Sequence, residues 1–200
     1  MPPSRENPLR LAGPRLVLTP AGPEDMFDLL DFHRRNADFF RPWLPTVPPD
    51  FLTLDHWERW TRAAPVMAEE DRALWLVVRA GRKAGRSIEA GALIGQVNLS
   101  NIHRGPLQSA SLGFQIDRAA AGLGLMTEAV GLAVGHALRR MGLHRITAFH
   151  RPENEASARL LARLGFEREG VARESVFIEG AWRDQVMTAR LASSPPAKRP

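Results

Sequence analysis

The spacing of apolar residues along the chain switches between a period of two and a period near 3.6, and the switches mark out its elements. Arg15–Thr19 alternates as a short strand. Gly22-Pro23-Glu24-Asp25 opens a helix, with proline in the first turn and acids beside the positive end of the dipole. Met26, Leu29, Leu30 and His33 form its apolar stripe. Phe39–Pro45 is too broken by proline for a regular element. A second helix starts near Thr53, runs through Trp57 and Trp60, and is expected to end or kink at Pro65. Strand-like runs follow at 73–79, 92–101 and 109–117, separated by glycine- and proline-bearing turns.

The second half is more regular. Gly124–Met141 carries Met126, Val130, Ala133, Val134, Ala137 and Met141 at helical spacing, and Gly142 suits a C-cap. His144–His150 reads as a strand and Asn154–Leu164 as an amphipathic helix ended by Gly165. Three strands close the chain at 166–169, 174–178 and 185–191, with Glu179-Gly180 as a hairpin turn. Three neighbouring antiparallel strands followed by strand–helix–strand predict an α/β (α+β) fold: a mixed central sheet with helices on both faces. One domain is expected over 12–191, after an N-terminal extension over 1–11 and before a disordered, Ser/Pro-rich tail over 192–200.

Composition narrows the function classes. The chain has 200 residues, enough for a sizeable core, and no cysteine, which excludes disulfides, thiolate metal sites and cysteine nucleophiles. Together with a polar N-terminus lacking a signal-peptide core, this points to a cytoplasmic setting. No apolar run is long enough for a membrane span. The net charge is +5, but Lys83 and Lys198 are the only lysines, so 25 of the 27 basic residues are arginine. The arginines are scattered rather than striped, so direct nucleic-acid binding is not expected. No histidine pair has metal-ligand spacing, and no metal is expected.

The main chemical signal is Leu112–Glu128, where a strand ends, a small-residue loop turns and a helix begins. Such a junction aims unpaired backbone N–H groups and the positive helix end at one spot, a setting for an anion. Glycines at 122 and 124 let that anion approach the backbone. A dinucleotide fingerprint would need glycine where Thr127 stands, and a Walker loop would need Gly-Lys-Ser/Thr; neither is present. A purely structural turn is the plain alternative.

With Ala119-Ala120-Ala121-Gly122-Leu123-Gly124 at this junction, the chain resembles the GNAT superfamily, whose members carry Gln/Arg-x-x-Gly-x-Gly/Ala there. Within it the chain is similar to the RimJ/RimL-like ribosomal-protein-alanine N-acetyltransferases. That likeness is carried by Gly124-Leu125-Met126, Thr127-Glu128-Ala129, Leu143-His144-Arg145-Ile146, Asn154, Leu160–Phe166 and Gly180-Ala181-Trp182-Arg183-Asp184. Asn98–Ile102 and Phe40-Arg41-Pro42-Trp43 add to it, and it spans roughly residues 12–191. The resemblance implies acetyl-CoA as co-substrate and a sheet splayed between Gly113–Ile116 and Thr147–His150, where pantetheine inserts and pairs with Gln115 and Asp117. It implies coenzyme contacts along Gln115, Ile116, Asp117, Arg118, Ala119, Ala121, Gly122, Leu123, Gly124, Leu125, Met126 and Thr127, and from Asn154 and Ser157. Ala119 departs from the family's Gln/Arg, so backbone amides would do most of the holding, with Arg118 assisting.

A second departure concerns catalysis. Leu160-Leu161 stands where many family members have Leu-Tyr, and the chain contains no tyrosine. A thiol with a pKa of about 8.5 leaves as thiolate without obligatory protonation, and a free α-amino group with a pKa of about 7.7–8.0 needs little help from a base. Positioning and a β-strand N–H for the oxyanion would supply much of the acceleration. Ser157 is the candidate proton donor, or otherwise an ordinary first-turn serine. Glu174, His150 and Glu153 are the candidate bases, while Glu128 reads as structural. Phe39, Phe40 and Trp43 are candidate acceptor contacts, with core packing as the alternative. Asn101 is a further candidate acceptor contact.

The function these readings imply is transfer of acetyl to a primary amine, the N-terminal α-amino group of a protein such as a ribosomal protein. The alternatives are a small amine acceptor (an antibiotic or polyamine) and a non-catalytic CoA-binding regulatory module. A monomer or homodimer fits either.

Overall fold

The computed structural model describes residues 9–193. Eight strands form one sheet in the order β1-β2-β3-β4-β5-β6-β8-β7. They are β1 (Leu11–Ala12), β2 (Leu16–Pro20), β3 (Leu74–Ala80), β4 (Leu93–His103), β5 (Ser109–Ile116), β6 (Arg145–His150), β7 (Glu167–Ile178) and β8 (Ala181–Leu191). Every neighbouring pair is antiparallel except β5–β6. Five helices accompany them: α1 (Met26–Arg35), α2 (Ala37–Phe40), α3 (Leu54–Glu69), α4 (Leu125–Arg139) and α5 (Glu155–Arg163). The expected mixed sheet is therefore present. Most of the extension and tail expected over 1–11 and 192–200 lies outside the described residues, although Leu11 already pairs with Leu18.

Helices cover both faces. Leu74, Leu76, Val78 and Ala80 of β3 join the core under α4 and α5, while Val77 joins a second core under α1 and α3 and Trp75 packs against that core. Burial on both faces explains why β3 is a nearly unbroken apolar run. Along α4, Leu125, Met126, Ala129, Val130, Ala133, Val134 and Ala137 are all buried. Its alanines let the helix lie close to the sheet, and each buried valine or leucine contributes about 1.5–3 kcal/mol.

Three local expectations change. Phe39–Pro45 is not wholly irregular, because Ala37–Phe40 closes one helical turn, with the Phe40 amide donating to the Asn36 carbonyl. The helix carrying Pro65 neither ends nor breaks there and continues to Glu69, since Trp57, Thr61 and Ala64 anchor its buried face. The strands expected at 166–169 and 174–178 are one strand, β7, with register shifts near Arg168–Gly170 and Ala172–Val176. Exposure on both faces hides its alternation. The hairpin turn is where expected: Glu179 and Gly180 have φ of 48° and 75°, the paired positive values of a type I′ turn.

Candidate functional site

The parallel pairing of β5 and β6 stops early. Ser109–Leu112 pair with Arg145–Ala148, and beyond that point Gly113–Ile116 have no partner on β6. Those four residues still pair with β4, and Phe149 and His150 still pair with β8, so each strand stays ordered on its far side. The two strands part after Leu112 and Ala148 and leave an opening with main-chain groups along its β5 edge.

At the mouth of this opening the chain makes a 3-10 turn at Arg118–Ala120 and enters α4. The Asp117 carboxylate is the turn's anchor, accepting from the Ala119 amide at 2.9 Å and from Arg35 Nε at 2.7 Å. Burial would raise its pKa, but the Ala119 amide, the Arg35 guanidinium and Asn36 together hold it below the ordinary value. The Arg118 amide donates to Asn36 Oδ1 at 2.9 Å, and the Ala120 and Ala121 amides donate to the Asp117 and Arg118 carbonyls. The Asp117 amide itself goes to the Ile94 carbonyl. Of the loop residues singled out from sequence, Asp117, Arg118, Ala119 and Ala121 therefore engage their own amides within the chain and give the loop its shape.

The donors that stay free lie just downstream. Among the described residues no acceptor takes the amides of Gly122, Leu123 or Gly124. The amides of Leu125, Met126 and Thr127 precede the Glu128 N–H, which bonds the Gly124 carbonyl at 3.2 Å. Gly122 and Gly124 have φ of 77° and 74°, so this succession of turns requires glycine. No atom lies within 4 Å of the place a Cβ at 122 would take, so the loop is open there. Six consecutive amides with the α4 dipole behind them form an anion cradle.

Sequence reasoning missed the residue that braces the cradle. Arg15 donates from Nη1 to the Leu123 carbonyl at 2.8 Å and from Nε to Glu128 Oε2 at 2.8 Å, while its amide meets Glu128 Oε1 at 2.9 Å. A lone arginine just before the short strand β2 carries no motif, and its partners lie more than a hundred positions away. Glu128 is thereby engaged as a structural acid. The Arg118 side chain is exposed and has no ion pair among the described residues.

The α1–α3 face of the sheet holds a different set of groups. Gln96 pairs in register with Gln115, and Asn98 with Gly113 where the opening begins. Gln96 is 2% exposed, and its Oε1 lies 2.8 Å from His33 Nε2. His33 stacks on Trp57 with ring centroids 4.4 Å apart. Burial pushes its pKa down to about 4, against the hydrogen bond that it makes to Gln96 Oε1. Gln96 Nε2, Asn98 Oδ1 and Gln115 Oε1 are buried without partners. Orphaned polar atoms cost free energy, and three of them side by side next to an opening are what a site for a polar ligand or water looks like.

The remaining candidates disperse. Asn101 (φ 51°) is exposed beyond the Ser100–Ser111 pair, at the end of β4 away from the opening, whereas Asn98 of the same strand lies beside it. Phe40 is 6% exposed and belongs to the α1–α3 core, with Phe39 packed against it. Trp43 is more open; the Arg151 guanidinium lies 5.7 Å from its ring and donates to the Pro42 carbonyl at 2.8 Å. The Thr46 amide reaches the Phe177 carbonyl at 2.9 Å, so the 41–47 loop spans from the β6–α5 corner to the β7–β8 hairpin. Asn154 caps α5 through Ser157 N at 3.1 Å. His150 follows Ile146 and Ala148 on the α5 face, with Nδ1 2.8 Å from the Arg151 carbonyl, a contact that leaves Nε2 as the basic nitrogen. Glu174 is exposed at the β7 bulge with φ of 46°, its amide held by Asp184 Oδ1 at 2.8 Å. Its own backbone, Arg151 and Arg183 hold Glu153 below the ordinary carboxylate pKa, which makes it a weaker base.

An opening between parallel strands, with an amide cradle at the following helix, matches a known domain. The family model described as "Acetyltransferase (GNAT) domain" matches residues 15–167. The chain is a GNAT acetyltransferase. It is 33% identical over 188 residues to the [Ribosomal protein uS5]-alanine N-acetyltransferase of Escherichia coli, with 90% of each chain covered. Its fold superposes on the ribosomal-protein-S5-alanine acetyltransferase of Vibrio fischeri with a TM-score of 0.85 at 27% identity, covering 93% of this chain and 98% of that one. Mycobacterium smegmatis RimJ, solved with CoA-disulfide, gives 0.80 at 27% identity, over 92% and 85%. The GNAT domain of this chain is thus an acetyl-CoA-dependent N-acetyltransferase. No helix among the described residues is long and apolar enough to cross a membrane.

Proposed function

We propose that this N-acetyltransferase acts on the α-amino group of a protein N-terminus, of the ribosomal-protein type. The observation carrying this reading is the pairing, across one opening, of a free-amide cradle at Gly122–Thr127 with unpartnered amide oxygens at Asn98 and Gln115. An amine brings N–H donors, and these oxygens are acceptors with nothing else to accept. Relatives similar over nearly the whole chain bear the name of a ribosomal-protein alanine acetyltransferase, which supports a peptide acceptor. A polyamine would require free carboxylates near the 39–50 loop, but Asp38 is paired with Arg41 and Asp50 with Arg59.

Bound acetyl-CoA supplies the acetyl thioester. The residues of the chain supply position: Gly122–Thr127 hold the pyrophosphate by main-chain amides, and the unpaired β5 edge at Gly113–Ile116 offers strand-like pairing to the pantetheine and an N–H toward the reacting carbonyl. Asn98 and Gln115 orient the amine, which is partly neutral near pH 7.5 because its pKa is about 7.7–8.0. A strong base is unnecessary under those conditions, and His150 Nε2 and Glu174 are proton acceptors of secondary weight. Ser157 is the hydroxyl available from α5. The bacterial cytoplasm is the setting that suits such an acceptor and a cysteine-free chain.

Thiol release from acetyl-CoA tests the acceptor class. A peptide beginning Ala-Arg should be turned over, and the same peptide with a blocked N-terminus should not. Faster turnover of spermidine or an aminoglycoside than of any free-N-terminus peptide would overturn the reading.

A further inference from the structure

The turn between β3 and β4 carries Arg82, Lys83 and Arg86 within five residues, all exposed and none in an ion pair among the described residues. Nearby cations on the same edge behave differently: Arg79 meets Asp25 at 2.6 Å and Asp28 at 2.8 Å, and Arg35 meets Asp31 and Asp117. The turn is also fixed in place. Ala84 is buried in the α4-side core, with Ile88 packed against that core, and the Gly81 amide donates to the Arg15 carbonyl at 2.7 Å. A Cβ at Gly85 would lie 3.6 Å from Leu123 Cδ1, so the turn rests on a residue of the amide cradle. Its three cations and Gly85 line a concavity of about 220 Å³.

We propose that Arg82, Lys83 and Arg86 form the seat of the 3′-phosphate of the coenzyme A nucleotide, beside the loop that holds its pyrophosphate. This rests on the cradle at Gly122–Thr127 being the pyrophosphate site. A phosphate monoester carries nearly two negative charges near neutral pH and needs cations rather than the dipoles that suffice for a diester-like pyrophosphate. The cradle itself offers main-chain dipoles, with Ala119 where the family has Gln or Arg and Arg118 as the loop's single cation. The turn adds three cations to that one, and it does so within reach of Leu123. Because the three side chains are exposed, their attraction is screened by salt.

The test compares binding of CoA and 3′-dephospho-CoA by calorimetry, in the wild type and in the R82Q/K83Q/R86Q variant, at low and high salt. The wild type is expected to bind CoA about tenfold tighter or more at low salt, with the gap narrowing as salt rises. The triple variant is expected to bind both ligands with the wild-type affinity for dephospho-CoA and to melt at the wild-type temperature. Equal discrimination in both proteins, or none in the wild type, overturns the proposal. A variant that loses affinity equally for both ligands assigns the turn a general field effect, which also overturns it. Failure of the wild type to bind either ligand instead overturns the pyrophosphate reading on which the proposal stands.

Discussion

On the α4 side of the β5–β6 opening the polar groups are main-chain amides; on the α1–α3 side they are the side-chain amides of Gln96, Asn98 and Gln115. The first set is fixed by loop and helix geometry within ten residues of sequence, braced from outside by Arg15, Arg35 and Asn36. The second is assembled from two strands, β4 and β5, with His33 of α1 against Gln96, and has no local geometry of its own. A main-chain site tolerates substitution of most side chains and is damaged through backbone conformation. A side-chain site is damaged by single truncations that leave the fold alone. The division fits the proposed assignment of the coenzyme to the main-chain side and of the acceptor to the side-chain side.

The largest expected effect separates the two sides by pH. Burial holds His33 near pKa 4, below the about 6.5 of an unfolded histidine, so the unfolded chain takes up a proton first. Its contribution is complete above about pH 6.5 and declines as pH falls toward 4, by about 1.4 kcal/mol per pH unit and about 3 kcal/mol at most. Urea unfolding at pH 7 and pH 5 should show this slope in the wild type and a shallower one in His33→Leu. Identical slopes would remove His33 as the acid-sensitive element of the α1–α3 side.

Next in size, Gly122→Val should weaken CoA binding by about 100-fold, because the added carbons occupy the anion's approach and φ of 77° disfavours a β-branched residue. Calorimetry and a thermal melt together decide the cause. A folded variant with unchanged CoA affinity would refute the cradle.

On the other side, Asn98→Ala combined with Gln115→Ala should raise the peptide KM about tenfold and leave the CoA Kd unchanged, through loss of amine acceptors. A shift in CoA affinity with constant peptide KM would move these residues to the coenzyme side. The smallest effect is expected from Arg15→Ala, which removes a brace rather than a contact: CoA affinity should fall about threefold to fivefold, with a modest drop in melting temperature. A loss as large as that of Gly122→Val would make Arg15 a direct ligand.

Legibility in the sequence follows the same division. The cradle was visible because strand, small-residue loop, glycine pair and helix are contiguous, and Glu179-Gly180 was visible as a turn because two positive φ values demand such residues. Asn98 carried no signal of its own in the sequence, because only the register of β4 against β5 places it opposite Gly113, where the opening begins. Phe40 looked like a ligand contact because an aromatic in a proline-rich loop has the same sequence appearance whether it packs inward or faces a cleft. Pro65 was read as an end or a kink because local rules cannot weigh the buried face of Trp57, Thr61 and Ala64 against one lost hydrogen bond, and the helix runs on to Glu69.

The sequence by itself determined the mixed sheet, most of its strands and the long helices, and marked a glycine loop before α4 as the candidate anion site, since each depends on periodicity or on backbone conformations that few residues adopt. Tertiary structure alone decided which amides are free, what braces them and which polar side chains meet at the opening. Those outcomes depend on partners far apart in the chain: Arg15 on Glu128, Arg35 on Asp117, His33 on Gln96. A hydrogen bond across such a separation leaves no periodic trace, because only the packed sheet and its helices bring its two ends together.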